Sequence, residues 1–76
     1  MDKDTIKIGT KVIWRNSWGK DAPREAVVRK IEKCVDKGSK YGKRVDAISW
    51  DDKDYGVYDL DNGHWCYGYQ IDSIVE

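Results

Sequence analysis

Few side chains in this sequence are imidazoles or thiols, the usual zinc ligands and strong nucleophiles: one histidine, His64, and two cysteines, Cys34 and Cys66. His64 and Cys66 are separated by a single residue, so a strand would set both on one face, where a zinc ion could bridge them. A structural zinc site takes four ligands, commonly arranged as closely spaced cysteine pairs, and the sequence holds no such pair. His64 therefore reads as a turn histidine and Cys66 as a half-buried thiol. The acidic run Asp51-Asp52-Lys53-Asp54 invites comparison with a calcium loop. Counted from Asp51, Gly56 falls at the sharp turn, but Lys53 and Tyr55 occupy ligand positions and Asn62 stands where the closing glutamate belongs. The run reads as a solvated loop between strands. Catalysis needs a nucleophile beside a base, or paired carboxylates in a cleft. Neither pattern is present, so no catalytic residue, no metal site and no cofactor is expected.

Two groups of residues are better suited to binding. Arg29, Lys30, Lys33, Lys37, Lys40, Lys43 and Arg44 form a basic patch with Tyr41 among them. Such a patch neutralises phosphates while an aromatic ring stacks on a base. The second group is aromatic: Trp18 in a polar loop beside Gly19, with Tyr55 and Tyr69, joins Tyr41 as a candidate partner-binding residue. The four tryptophans and five tyrosines are accompanied by no phenylalanine, so every aromatic ring carries a polar group. Rings of that kind, set beside charges, are typical interface anchors. The competing reading is that they lie across the open ends of the fold and close its core.

The 76 residues make one domain, 1–76, near the lower limit for a self-sufficient core. With 37% charged residues and nine aromatic ones the chain is expected to fold, since charge-rich disordered chains lack aromatics. No stretch approaches the length needed to span a bilayer, and Met1-Asp2-Lys3-Asp4 begins charged, with no apolar signal segment. A cytoplasmic location with free thiols at Cys34 and Cys66 is the expectation. The net charge is zero, yet residues 1–44 carry 13 Lys/Arg against 6 Asp/Glu, whereas residues 45–76 carry Lys53 alone against eight acids.

Strand signals position these groups. Ile6-Lys7-Ile8 alternates, Gly9-Thr10 permits a turn, and Lys11 to Arg15 alternates again, with Val12 and Trp14 facing the core. Glu25 to Ile31 is the second strand: the Val27-Val28 pair and the preceding Pro23 outweigh its helix formers. Lys43 to Trp50 reads as a third strand whose inward face is ambiguous, Val45 and Ala47 competing with Ile48 and Trp50. At Asp61-Asn62-Gly63-His64 a two-residue type I′ hairpin is expected. In that register Leu60 faces Trp65 and Tyr58 faces Tyr67, which makes Trp65 and Tyr67 core and puts Asp59 and Cys66 on the other face. Gly68 marks a bulge or bend before Ile71 and Ile74 re-enter the core.

Five short strands at roughly ten-residue spacing predict an all-β fold, a small five-stranded, partly open barrel. Ile8-Gly9-Thr10-Lys11-Val12 resembles the opening of SH3-like barrels of the Tudor and KOW kind, as does the strand Ala26-Val27-Val28-Arg29-Lys30-Ile31. The close, Asn62-Gly63-His64-Trp65 followed by Gln70-Ile71-Asp72-Ser73-Ile74, is similar to small SH3-like proteins of bacterial, phage and mobile-element genomes. The resemblance is one of strands and turns. The exposed aromatics and the charge-polarised chain point to a non-enzymatic binding module with a protein or peptide partner, and by analogy with the phage and mobile-element proteins it resembles, to one that blocks a host factor. The alternative is a nucleic-acid-binding barrel using the basic 29–44 hairpin.

Overall fold

The computed structural model describes residues 4–37 and 42–75, so Lys40 and Tyr41 of the binding groups lie outside the described residues. The chain is mostly strand. β1 (Thr5–Lys7), β2 (Lys11–Trp14) and a single turn, α1 (Asn16–Gly19), lead to the long β3 (Arg24–Lys33). Then come β4 (Lys43–Val45), β5 (Ala47–Ser49), a 3₁₀ turn (Trp50–Tyr55), β6 (Gly56–Leu60), β7 (Trp65–Tyr67), a second 3₁₀ turn (Gly68–Gln70) and β8 (Ile71–Ile74).

All strand pairings are antiparallel. The main sheet runs β7-β6-β3-β2-β8, with β4 also beside β3, and β1 pairs with β5 in a separate two-stranded ladder. The long β3 is the spine. Its first half pairs with β2 (Val12 opposite Ala26) and its second half with β4 and β6, so Ile31 faces Val45 on one side and Tyr58 on the other. The β3–β6 register shifts between Val28 and Lys30. This bulge at Arg29 breaks the alternation: Arg29 and Lys30 are both exposed, and Val28 and Ile31 both reach the core. In β2 the alternation is undisturbed, and Val12 and Trp14 are fully buried as the pattern predicts.

Three features differ from the expected barrel. The single strand expected over Lys43 to Trp50 is interrupted at Asp46, because its two halves have different partners: Lys43–Val45 pairs with β3 and Ala47–Ser49 with β1. Ile48 is the residue this segment buries, at 4% exposure, while Ala47 is exposed. The sheet is also open. β7 and β8 are the two ends of its path, and no pairing joins them among the described residues, so a closed five-stranded barrel is not formed.

The third difference is the hairpin register. Leu60 N–H donates to the His64 carbonyl at 2.9 Å, so the loop is the three residues Asp61-Asn62-Gly63. Gly63 has φ 83° and Asn62 is not among the positive-φ residues, which excludes type I′ and matches a turn closed by a glycine bulge. Side chains select this loop. Asp61 accepts from Val27 N–H at 3.1 Å and Asn62 Oδ1 from His64 N–H at 3.0 Å. One added loop residue slips the register by one and exchanges the faces of β7. Tyr58 therefore faces Cys66, and Asp59 faces Trp65. Cys66 is fully buried and Trp65 is 39% exposed, the reverse of the sequence expectation for that pair.

The core gathers Ile6, Trp14, Val28, Ile31, Tyr58, Leu60 and Cys66 from both ladders. Cys34 and Cys66 are both buried and form no disulfide. Burial, with Asp59 nearby, pushes the Cys66 thiol up to about 12 from its ordinary 9.0. Burial likewise raises the Tyr58 phenol, which donates to the Lys53 carbonyl at 2.8 Å. Both groups are held neutral in the fold and ionise more readily in the unfolded chain. Stability is then fully present below pH 9 and falls as pH rises towards the folded values, because the unfolded state binds fewer protons there. Urea midpoints by circular dichroism are expected to be flat from pH 7 to 8.5 and to drop steadily above pH 9. A midpoint constant to pH 11 would contradict the burial of these groups.

Candidate functional site

Trp18 stands in a turn that winds left-handed. Ser17, Trp18 and Gly19 have φ of 50°, 59° and 88° in succession. Only the third is a glycine, so two side-chain-bearing residues hold a conformation that L-residues rarely adopt. Local bonds fix it: Lys20 N–H donates to the Ser17 carbonyl, Asp21 N–H to the Asn16 carbonyl, and Ser17 Oγ to Asp21 Oδ2 at 3.2 Å. The result is a tryptophan ring 65% exposed to solvent. Sparsely populated backbone of this kind persists where the surroundings impose it, and it clusters at functional sites.

The ring belongs to an array. Trp18 stacks on Tyr67 with centroids 6.0 Å apart and planes at 21°, and Tyr67 stacks on Tyr69 at 5.9 Å and 14°. Trp65 meets Tyr67 edge-on at 5.2 Å. Each separation lies in the range of favourable ring pairs. Tyr67 is thus the centre of four contiguous rings drawn from α1, β7 and the second 3₁₀ turn, three of them exposed.

Buried polar bonds hold the array in place. Gln70, 5% exposed, accepts from Tyr67 N–H and donates to the Arg15 carbonyl, both at 2.9 Å, while Arg15 N–H donates to the Gln70 carbonyl. The half-buried Lys53 ammonium donates to the Gly68 carbonyl at 2.9 Å and to Asp54 at 3.0 Å, with the Trp50 ring beneath it at 5.1 Å. The acidic run read as a solvated loop is therefore a 3₁₀ turn that anchors the turn carrying Tyr69. Rings positioned this way lose little freedom on binding.

Beside the array is a cleft of about 380 Å³ lined by Asn16, Ser17, Trp18, Gly63, His64, Trp65 and Gln70. The His64 ring rests against Trp14, centroids 5.8 Å apart. Burial, with a contribution from Glu32, raises the Cys34 thiol too, so neither thiol is poised as a nucleophile. Among the described residues no group of three or more His, Cys, Asp or Glu could hold a metal ion.

The other aromatic candidate, Tyr55, sits apart at the end of the first 3₁₀ turn, under the Lys37 ammonium at 5.6 Å. In the basic patch Arg29, Lys30, Lys33, Lys37, Lys43 and Arg44 are all exposed. Pairing interleaves them with acids: Lys30 lies opposite Asp59, Arg44 opposite Glu32, and Lys33 reaches Asp52 at 3.5 Å. Trp65 and Tyr67 were assigned to the core by the two-residue turn, so sequence reasoning missed half of the array. The signal that finds them is Asp61, a side chain able to fix a longer loop.

In comparisons with known proteins, no family model matches this chain, and no curated protein and no solved structure matches it. Among the described residues no helix is long and apolar enough to cross a membrane.

Proposed function

We propose that this chain is a non-enzymatic binding module that engages a protein or peptide partner through Trp18, Trp65, Tyr67 and Tyr69. The observation that carries the reading is the contiguity of these four rings on the surface, centred on Tyr67 and held by buried polar bonds. Aromatic clusters presented to solvent in one rigid patch are the residues that dominate protein interfaces. The strand order β7-β6-β3-β2-β8, with a 3₁₀ turn ahead of the last strand, supports an SH3-like architecture left open between its ends. The nucleic-acid reading is weaker on this fold, because three of the basic residues lie across from or against acids.

Trp18→Ala is expected to cost under about 1 kcal/mol of stability, since the ring is mostly exposed. The same change should release the partner. The test is capture from a host-cell lysate treated with nuclease, with wild type and Trp18→Ala on parallel supports. The reading expects a protein retained by wild type after nuclease and absent from the variant. Retention that disappears with nuclease, or a protein held equally by both, would overturn it.

A further inference from the structure

The cleft beside the array differs from the array in its chemistry. It is lined by Trp18, from the left-handed turn, and Trp65, from the hairpin, together with Asn16, Ser17, Gly63, His64 and Gln70. None of these carries a fixed charge. The Gln70 amide is spent on Tyr67 and Arg15, whereas the Asn16 amide makes no side-chain hydrogen bond among the described residues. Apolar walls with a few convergent polar groups describe a site that takes one compact ring and fixes its orientation. A cation would find no carboxylate in the lining, and a phosphate no lysine or arginine.

Charge around the rim narrows the choice. The hairpin, β7 and the second 3₁₀ turn, residues 56–70, contribute Asp59 and Asp61 and no Lys or Arg, while the segment around α1 adds Arg15, paired with Asp72, and Lys20 with Asp21. Asp59 lies opposite Trp65, and Asp21 is bonded to Ser17. A nucleobase arrives with phosphates that this rim repels. An aromatic side chain of a polypeptide arrives without them, and basic neighbours on its segment are attracted.

Resting on the binding-module reading above, we propose that the cleft between Trp18 and Trp65 receives a tryptophan or tyrosine side chain of the partner, carried on a segment with flanking basic residues. The guest ring packs between the two tryptophans and presents its N–H or O–H to the Asn16 amide.

Titration of the isotope-labelled full chain by NMR tests this with four probes: N-acetyltryptophanamide, N-acetyltyrosinamide, N-acetylargininamide and adenosine monophosphate. At least one of the first two should shift the Trp18 and Trp65 indole N–H and Asn16 side-chain signals together, with a Kd on the order of 1 mM for ligands this small. It should bind at least about fivefold tighter than either of the other two. Asn16→Leu, which fills the polar end, should abolish the Trp18 and Trp65 indole shifts while leaving the backbone spectrum of the core unchanged. Preferred binding of the arginine probe or of the nucleotide would overturn the proposal, as would the absence of cleft shifts with both aromatic probes. If the aromatic probes fail while Trp18→Ala still releases the captured partner, this inference falls and the binding-module reading stands. If Trp18→Ala keeps the partner, the reading itself falls.

Discussion

Trp14→Ala will strip the fold of most of its stability at 25 °C. Trp14 is among the largest fully buried side chains and packs in the cluster that joins both ladders. Truncating a buried tryptophan costs about 3–5 kcal/mol in lost transfer energy and residual cavity. Small domains hold total stabilities near the lower end of about 5–15 kcal/mol, so that loss consumes most of the margin. Among the described residues the indole Nε1 has no hydrogen-bond partner, so Trp14→Phe removes a buried unpaired donor along with some volume. That variant should retain most of its stability, because deleting an unsatisfied polar group offsets part of the lost packing. Trp65→Ala, by contrast, should cost about 1 kcal/mol, since the ring is 39% exposed and sits at the surface end of the array. Urea denaturation followed by far-ultraviolet circular dichroism ranks the three variants. A Trp65→Ala variant less stable than Trp14→Ala would restore the two-residue hairpin register and contradict the one described above.

Gly68→Ala has the second largest expected effect, and it reaches the site as well as the fold. A Cβ at this position would run into the carbonyl of Lys53 and the backbone of Asp54. These are backbone atoms of the neighbouring 3₁₀ turn, so no side-chain rotation relieves the overlap. The two turns must separate, which breaks the Lys53 to Gly68 bond and shifts Tyr69 and Gln70 relative to Tyr67. Overpacking of this kind typically costs about 1–3 kcal/mol, and the fixed obstacle places Gly68 at the upper end. The variant should show a lower urea midpoint and a changed near-ultraviolet signal from the disturbed rings. Gly63→Ala makes a useful contrast. Its added methyl group meets nothing within 4 Å, but its φ of 83° disfavours any side chain, so its cost is backbone strain local to the loop. A Gly68→Ala chain as stable as wild type would mean that the two 3₁₀ turns are not in contact.

The sequence announced some elements clearly. Alternation from Lys11 to Arg15 assigns Val12 and Trp14 to the core, because β2 carries no register shift against β3 over that stretch. The β-branched pair Val27-Val28 marks β3 in spite of its helix formers. The hairpin was legible in place but not in register. Asn62-Gly63 fits loops of two or three residues, and the choice was made by Asp61 bonding Val27, a contact 34 residues distant in sequence. Everything on β7 follows from that contact, including the exchange of Trp65 for Cys66. The break at Asp46 was equally hidden, since nothing local says that Ala47–Ser49 will pair with the chain start.

The site followed the same division. Trp18 and Tyr69 stand out as aromatics beside glycines in polar surroundings, whereas Trp65 and Tyr67 appear only once the register is known. Ser17 and Trp18 give no warning of a left-handed backbone beyond the glycine that follows them. Strand pairing partly mixes the charges of the two halves. Antiparallel pairing of β3 with β6 sets Lys30 against Asp59, and Arg15 of the basic half bonds Asp72 of the acidic half at 2.7 Å. Exposed pairs of this kind contribute little to stability, and they set acids beside part of the basic patch.

The claim that the aromatic array, and not the basic hairpin, holds the partner is tested most directly by one measurement: the dissociation rate of the captured partner from wild type, Trp18→Ala and Lys43→Glu/Arg44→Glu. Anchors in the centre of an interface govern how long a complex lasts, whereas peripheral charges govern how fast it forms. Trp18→Ala should raise the dissociation rate by about 30-fold or more, equivalent to about 2 kcal/mol. The double charge reversal should slow association and change dissociation by less than about threefold. A partner that leaves the charge-reversed protein rapidly and the Trp18→Ala protein at the wild-type rate would contradict the account and assign the binding to the basic hairpin.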